Sequence, residues 1–289
     1  MTATSTPAPL PARFARLVKI EHTVFALPFA YVGAFLAVDA VPSAADLFWI
    51  TVAMVGARSL AMALNRLIDA ELDAHNPRTA TRELPAGRLS RAQVIGFSAL
   101  SLLVFLIAVW QLDPIVRWLW PIPVVAFVVY PYLKRFTPLC HIWLGIVDGL
   151  APVGGWVAVT GHFDTAAWLL GAAVACWIAG FDIIYATMDL EVDRRQGLHS
   201  IPRRFGVAAA LLTTRIFHAG SVALLVWLGI ALSLGPFYWL GLAVVAGLLA
   251  YENSIVSADD LSRVDMAFLQ MNGVIAIVFL AGVLADALV

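Results

Sequence analysis

Residues 166–188, AAWLLGAAVACWIAGFDIIYATM, carry one charged side chain, Asp182, in 23 positions. An apolar run of about 20 residues is long enough to cross the hydrocarbon layer of a membrane as an α-helix. Similar runs recur along the whole chain of 289 residues, of which 62% are hydrophobic and 13% charged. A soluble domain carries about 25% charged residues. The sequence therefore predicts an all-α, polytopic membrane protein.

Charged residues, proline and glycine divide the apolar runs into nine candidate transmembrane helices, which we expect to form a single bundle. The candidate helices lie at 20–38, 47–68, 92–110, 115–133, 140–160, 166–188, 208–233, 236–251 and 266–287. Residues 1–12 are rich in threonine, proline and alanine, and we expect them to form a flexible N-terminal tail. Residues 13–289 are predicted to form one domain.

The basic residues lie mostly on one side of this predicted bundle. Of the 18 lysines and arginines, 16 lie before the first helix or on the side where the even-numbered helices end, whereas Arg117 lies on the opposite side and Arg58 lies inside the second helix. Loops rich in lysine and arginine stay in the cytoplasm. The pattern predicts a multi-pass protein of the inner (plasma) membrane, with its N-terminus and these loops on the cytoplasmic side.

Two sets of oxygen-bearing side chains occupy the ends of the second and sixth predicted helices. Asn65, Asp69 and Asp73 are spaced four residues apart, as are Asp189 and Asp193. Because residues i and i+4 share a helix face, each set points in one direction, and both sets lie on the cytoplasmic side. Carboxylates gathered beside hydrocarbon require cations, and hard oxygen ligands suit Mg²⁺. We therefore predict a magnesium site formed by these five residues, with the four aspartates as the catalytic groups.

Arginines follow both sets, with Arg78 and Arg82 after the first and Arg194 after the second. Acidic residues, a metal ion and flanking arginines together are typical of a diphosphate pocket. We expect these three arginines to hold a diphosphate.

The spacing around the two sets suggests an internal duplication. Arg58 lies seven residues before Asn65, and Asp182 lies seven residues before Asp189. Tyr185 occupies the position that Asn65 has in the first set. We interpret segments 58–73 and 182–193 as the corresponding parts of two repeated units.

Three motifs resemble those of the UbiA prenyltransferase superfamily. Residues 65–73, NRLIDAELD, resemble its first aspartate-rich motif, N-D-x-x-D-x-x-x-D, with Arg66 at the second position. Residues 185–193, YATMDLEVD, resemble the second motif, and residues 130–134, YPYLK, match the Y-x-x-x-K loop. The resemblance extends over nearly the whole chain. It implies that Lys134 holds the diphosphate and that Tyr130 donates a hydrogen bond there.

Further segments resemble one branch of the superfamily. Residues 19–35, 154–161 and 193–206 look most like the menaquinone prenyltransferase of the futalosine route, a branch similar to 4-hydroxybenzoate polyprenyltransferases. The resemblance implies an enzyme with Mg²⁺ as its cofactor and a lipid-facing cavity within the helical bundle. Its partners would be membrane lipid, a polyprenyl diphosphate and an aromatic carboxylate acceptor. That acceptor is expected to be 1,4-dihydroxy-6-naphthoate, with 4-hydroxybenzoate of ubiquinone biosynthesis as the alternative.

Several polar residues keep two interpretations. Arg58 lies in an apolar helix, where an unpaired charge is costly, so we expect it to pair with Asp182 or to bind the acceptor's carboxylate. His22 is interpreted as an interfacial residue satisfied by Glu21, or else as a contact of the aromatic acceptor or a proton acceptor. Tyr185 is a weaker site candidate. Asp148 is expected to be a polar link between helices.

Other functions remain open on the sequence alone. Paired intramembrane acids also occur in ion-coupled transporters, although these spread charge toward the midplane of the bilayer. Prenylation of haem or of a chlorophyll-type acceptor is possible within the same enzyme class. Neither a nucleic acid nor an obligate protein partner is expected.

Overall fold

The fold of this chain is all-helical, as predicted. A computed structural model describes residues 9–19, 23–38, 41–264, 266 and 271–289. In the described residues, fourteen α-helices follow one another: α1 (Leu10–Val18), α2 (Thr23–Leu36), α3 (Ala44–Ile68), α4 (Ala70–Ala74), α5 (Arg91–Gln111), α6 (Val116–Leu119), α7 (Pro121–Leu133), α8 (Cys140–Thr160), α9 (Thr165–Ala186), α10 (Leu190–Gln196), α11 (Ile201–Phe205), α12 (Val207–Ala231), α13 (Pro236–Ile255) and α14 (Asn272–Ala287). A 3-10 turn, Thr187–Asp189, joins α9 to α10.

Six helical segments in the described part of the chain are long and apolar enough to cross a membrane. They are Ala44–Ile68, Arg91–Gln111, Val116–Leu133, Cys140–Thr160, Thr165–Gln196 and Val207–Ala231. The other three predicted spans correspond to α2, α13 and α14, which are helical but do not meet the same criteria. Six of the nine predicted spans are thus supported by length and composition, and the count of nine is not confirmed.

Both aspartate motifs lie where a long helix breaks, whereas the sequence predicted continuous helical faces. Asp69 ends α3 with φ −92° and ψ 6°, and Asp189 has φ −98° and ψ 3° before α10. These angles belong to the sparsely populated bridge region between helix and strand. The two motifs therefore share a backbone turn as well as a spacing. The duplication that we infer from the spacing stays a prediction.

Helix α1 begins at Leu10, within the segment predicted to be a flexible tail. It is amphipathic, and its buried Leu17 belongs to a hydrophobic cluster that includes Ala63 and Leu89. Phe14 stacks on Phe97 of α5 at a centroid distance of 4.5 Å. The tail boundary at residue 12 is therefore too late, because the apolar face of α1 packs on the bundle.

Helix α8 packs very closely against α9 through small residues. A Cβ atom added at Gly145 would collide with the carbonyl of Ala175, and one added at Gly149 would meet the carbonyl of Gly171. Small residues at such positions allow membrane helices to approach to backbone contact. This contact fixes the relative positions of the polar side chains that α8 and α9 point into the bundle. The largest buried core cluster lies beside it, between α2, α9, α12, α13 and α14.

Candidate active site

A cavity of about 540 Å³ opens between α2, α3 and α5–α10. Its walls are mostly apolar, with Met54, Phe105, Val109 and Phe127 among them, and one end carries the polar side chains of both motifs. Twelve of the predicted site residues line it: Arg58, Asn65, Asp69, Asp73, Arg78, Arg82, Tyr130, Lys134, Asp182, Tyr185, Asp189 and Asp193. His22 lies outside the described residues.

Asp69 is the most deeply buried of the four predicted catalytic carboxylates, with 1% of its surface exposed. Its Oδ2 accepts hydrogen bonds from Lys134 Nζ at 2.6 Å and from Asn65 Nδ2 at 3.3 Å. Arg135 Nη2 lies 3.4 Å from Oδ1. A buried carboxylate requires such partners, because it has lost its hydration. Two cations therefore neutralise Asp69 from the loop that follows α7.

Asp73 is held by the loop that follows its own helix. Arg82 Nη1 donates to both Asp73 oxygens, at 2.8 and 2.7 Å. The Thr79 hydroxyl donates to the Asp73 carbonyl at 2.9 Å and tightens the turn between them. The two residues that the sequence assigned to metal and to diphosphate thus form an ion pair in this structure.

The same loop reaches across the cavity to the second motif. Arg78 Nε and Asn76 Nδ2 both donate to Asp189 Oδ1 at 3.0 Å, and Arg78 Nη2 binds Oδ2. Arg78 also donates to the Tyr185 hydroxyl, and its guanidinium carbon lies 4.9 Å from the centre of that ring. Burial opposes the charge of Arg78, but the hydrogen bonds to Asp189 and the nearby Tyr185 raise the pKa of the guanidinium above its ordinary value.

Asp193 has a different environment. The Ser200 hydroxyl donates to its Oδ2 at 2.7 Å, and within the described residues it forms no ion pair. Arg194 does not line the cavity; it is mostly exposed, 3.9 Å from Glu191. The predicted role of Arg194 at the diphosphate is not supported by this position. Successive helical residues point about 100° apart, so a residue beside Asp193 faces elsewhere.

Deeper in the cavity, the structure corrects the predicted Arg58–Asp182 pair. Arg58 Nη1 lies 3.6 Å from Asp148 Oδ1, whereas Asp182 Oδ2 lies 2.7 Å from His141 Nδ1. When the motifs are aligned on Asp69 and Asp189, position 58 corresponds to 178 rather than to 182, so the inferred equivalence does not hold. Asp148 of α8 is instead the polar link to α3, consistent with the expectation for that residue.

Sequence reasoning missed three contributors to this site: Asn76, Arg135 and His141. Arg135 directly follows Lys134, and Asn76 lies three residues after Asp73, so proximity to a motif was an available signal for both. No local signal relates His141 to Asp182, which is 41 residues away.

The donor chemistry of the mouth suits magnesium. Among the described residues, no three His, Cys, Asp or Glu side chains form a group that could hold a metal. Mg²⁺ does not require such a cage, because it commonly uses one or two carboxylates together with water and phosphate oxygens of a substrate. The four aspartates and Asn65 offer hard oxygen donors around one cavity. Their chemistry fits the predicted metal.

Comparison with known proteins agrees with this geometry. The sequence model described as the UbiA prenyltransferase family matches residues 26–279. A 4-hydroxybenzoate octaprenyltransferase of Cupriavidus necator is 32% identical over 281 residues, covering 95% of this chain and 97% of that protein. A 4-hydroxybenzoate solanesyltransferase of Synechocystis is 34% identical over 253 residues, covering 86% and 85% of the two chains.

Solved structures share the fold. A UbiA homolog from Aeropyrum pernix K1, solved without ligand, superposes with a TM-score of 0.85 at 36% identity, covering 92% of this chain and 98% of that one. A UbiA homolog from Archaeoglobus fulgidus bound to GPP and Mg²⁺ gives a TM-score of 0.74 at 19% identity, with coverages of 96% and 100%.

Proposed function

The chain belongs to the UbiA prenyltransferase family, and from this premise we propose that it transfers a polyprenyl chain from its diphosphate to 4-hydroxybenzoate. The family and the named relatives make it a membrane-bound aromatic prenyltransferase of quinone biosynthesis. The relatives favour 4-hydroxybenzoate over the dihydroxynaphthoate expected from the sequence. One observation carries the assignment to this cavity: paired carboxylates and cations surround the mouth of an apolar chamber.

The cations at the mouth are suited to bind the diphosphate. Arg78, Arg82 and Lys134 each lie within hydrogen-bonding distance of a motif aspartate, so their charged ends already face the cavity. Charge-assisted hydrogen bonds to phosphate oxygens are among the strongest that a protein makes. Asn65 and the four aspartates would hold Mg²⁺. When bound, that ion would act as a Lewis acid and neutralise negative charge on the leaving diphosphate.

The apolar walls have a separate task. Cleavage of the allylic C–O bond leaves an electron-poor prenyl carbon that water would capture. Side chains such as Phe105, Val109 and Phe127 exclude water from this part of the chamber and offer a surface for the prenyl tail. The electron-rich carbon of the aromatic ring then attacks the prenyl carbon and forms the new C–C bond, while the diphosphate leaves with the electrons of the C–O bond. The ring regains its aromaticity when that carbon loses its proton, which the released diphosphate can accept.

Arg58 is the proposed binding residue for the acceptor's carboxylate. Its ion pair with Asp148 is long, at 3.6 Å, and its buried Nε has no hydrogen-bond partner among the described residues. A guanidinium can bind a carboxylate with two parallel hydrogen bonds, so it has capacity for a second anion. We place the acceptor's ring between this residue and the diphosphate end.

The orientation in the membrane belongs to the same proposal. The diphosphate end is built by the segments that join α3 to α5, α7 to α8 and α9 to α12, which together carry nine of the 18 lysines and arginines. We therefore place this end, like the N-terminus, on the cytoplasmic side of the inner membrane.

Prenyl transfer by the purified protein in liposomes tests this function. The assay supplies Mg²⁺ and an allylic polyprenyl diphosphate, and it offers 4-hydroxybenzoate and 1,4-dihydroxy-6-naphthoate in parallel. We expect product from 4-hydroxybenzoate, and its loss in an Asp189→Asn variant. Product from the naphthoate alone would move the enzyme to menaquinone biosynthesis. If neither product nor released diphosphate is found, the prenyltransferase assignment would be contradicted and an ion-coupled transporter would be favoured.

The role of Arg58 is tested by acceptor discrimination. Loss of a hydrogen bond to a charged group costs about 1.5–3 kcal/mol, so Arg58→Ala should raise the KM for 4-hydroxybenzoate by about 10- to 150-fold. The wild type should prefer 4-hydroxybenzoate to its neutral analogue 4-hydroxybenzamide, and Arg58→Ala should lose that preference. An Arg58→Ala variant with unchanged preference would show that the carboxylate binds elsewhere.

A further inference from the structure

His141 is a buried residue at the start of α8 to which the proposed reaction gives no part. It is 4% exposed and lines the wall of the cavity. Its Nδ1 lies 2.7 Å from Asp182 Oδ2 on α9, and the backbone N–H of Ile201 on α11 donates to its Nε2 at 3.4 Å. The imidazole therefore joins two spanning helices to a segment outside them.

The partners of His141 define its hydrogen-bonding state. The backbone N–H of Ile201 approaches Nε2, and Nδ1 lies within hydrogen-bonding distance of the carboxylate of Asp182. Both ring nitrogens of His141 thus contact protein groups. Because both of its nitrogens are occupied by protein groups, His141 is not arranged to exchange a proton with a substrate, and its contribution is positional.

The segment anchored by His141 contacts the second aspartate motif directly and the first motif through Lys134. We call residues 198–201 the strap; they begin two residues after the end of α10 and end at the first residue of α11. Within the strap, the Ser200 hydroxyl binds Asp193 at 2.7 Å, and the backbone N–H of His199 donates to the carbonyl of Lys134 at 2.6 Å. Lys134 in turn binds Asp69 through its side chain. The strap therefore runs from the carboxylate of one motif to the cation that serves the other.

We propose that His141 is a positioning residue for the diphosphate end of the site. By linking the backbone of Ile201 to Asp182, His141 keeps Ser200 in contact with Asp193 and keeps the strap against the backbone of Lys134. This proposal rests on the proposed function, because it assumes that Asp193 and Lys134 bind the metal and the diphosphate. It differs from a simple packing role, which would stabilise the bundle without affecting one substrate more than the other.

The test compares His141→Ala, His141→Gln and a matched control, His218→Gln. His218 is likewise buried and bonded to an amide, Asn253 at 2.7 Å, but it does not line the cavity. Hydrogen exchange of the peptide covering residues 197–206 reports on the strap. The affinity for geranyl diphosphate with Mg²⁺ reports on the site, and the KM for the aromatic acceptor serves as an internal reference.

In His141→Ala we expect exchange in the strap to accelerate and the affinity for geranyl diphosphate to fall, each by about tenfold, with the acceptor's KM unchanged. His141→Gln should recover most of both losses, because an amide also offers one donor and one acceptor. His218→Gln should change neither quantity.

Two results would overturn the proposal. One is unaltered exchange of the strap in His141→Ala; the other is a loosened strap with wild-type affinity for geranyl diphosphate. A wild-type protein that binds no geranyl diphosphate with Mg²⁺ would overturn the proposed function and the assumption built on it. In that case the exchange measurement would still show whether His141 anchors the strap.

Discussion

The two aspartate motifs have the same spacing and the same backbone turn, but they hold their carboxylates in different ways. Asp69 and Asp73 are buried, and each forms a close ion pair with an arginine or a lysine. Asp189 and Asp193 are half-buried; Asp189 borrows Arg78 from the loop of the first motif, and Asp193 relies on the hydroxyl of Ser200.

Part of the difference arises from the segment that comes after each motif. After Asp73, the loop of residues 75–90 folds back and supplies Arg82 to its own motif and Arg78 to the other. After Asp193, the chain passes through the short strap, and Arg194 points away from the cavity. Similar local sequences therefore obtain different electrostatic environments, because Asp73 receives Arg82 from the loop that follows it and Asp69 receives Lys134 from the loop after α7, whereas Asp193 receives the hydroxyl of Ser200.

Neutralising one aspartate in each motif should separate catalysis from stability. We expect Asp69→Asn and Asp193→Asn each to lower kcat/KM by about 10³-fold, since each removes a charge that faces the metal and the diphosphate. Only Asp69→Asn should also destabilise the protein, by about 2 kcal/mol, because Lys134 and Arg135 lose their buried counterion. Prenyl transfer in liposomes and thermal unfolding in detergent measure the two effects. Equal destabilisation by both variants would show that the two motifs do not differ in how much their carboxylates contribute to stability.

A smaller effect is expected where the two motifs are joined. Arg78→Lys keeps the charge but cannot maintain the contacts to both Asp189 oxygens and to Tyr185 with one ammonium group. We expect the KM for the polyprenyl diphosphate to rise about tenfold, with little change in the acceptor's KM. The control is Arg194→Lys, which should behave as wild type. Similar kinetics of the two variants would show that Arg78 does not link the motifs functionally.

The smallest effect concerns Glu83, which holds the loop of the first motif against α1. Burial acts to raise the pKa of Glu83, but hydrogen bonds from Arg88 and Arg16 outweigh it and lower that pKa below its ordinary value. The stabilisation is therefore complete above the pKa of an unfolded glutamate, about 4.3, and is lost as pH falls through the lowered value.

Glu83→Gln should consequently lower stability by about 1 kcal/mol at neutral pH, and the difference from wild type should disappear in acid. Thermal unfolding between pH 7 and pH 3 follows this difference. Glu71→Gln removes a carboxylate from an exposed pair with Arg91 and should have no measurable effect. A difference for Glu83→Gln that persists unchanged in acid would contradict the role of its charge.

The sequence was most informative where one short segment determines the result. Apolar runs predicted the helical membrane fold, and the four-residue spacing identified Asn65 and the aspartates that line the cavity. Arg78 and Arg82 were found because they closely follow a motif. These inferences need only the helical period and the proximity of neighbours along the chain.

Pairings between distant helices were not accessible in the same way. Arg58 contacts Asp148, and His141 contacts Asp182, because of how α8 packs against α3 and α9. That packing depends on glycines such as Gly149, whose effect is seen only when the facing backbone is known. The prediction that Arg194 holds the diphosphate failed for a simpler reason. Arg194 is next to Asp193 in the sequence, but its side chain does not point into the cavity with that of Asp193.

At the cavity mouth, three of the aspartates predicted to bind the metal are already paired with lysine or arginine. A divalent ion that binds Asp69, Asp73 or Asp189 alone would have to displace a lysine or an arginine, whereas an ion that arrives with a diphosphate would give the displaced cations a new anion. Each ligand should therefore bind more tightly in the presence of the other, by the same factor in both directions. We therefore expect free magnesium to bind this site weakly, and a diphosphate with its magnesium ion to bind better than either component alone.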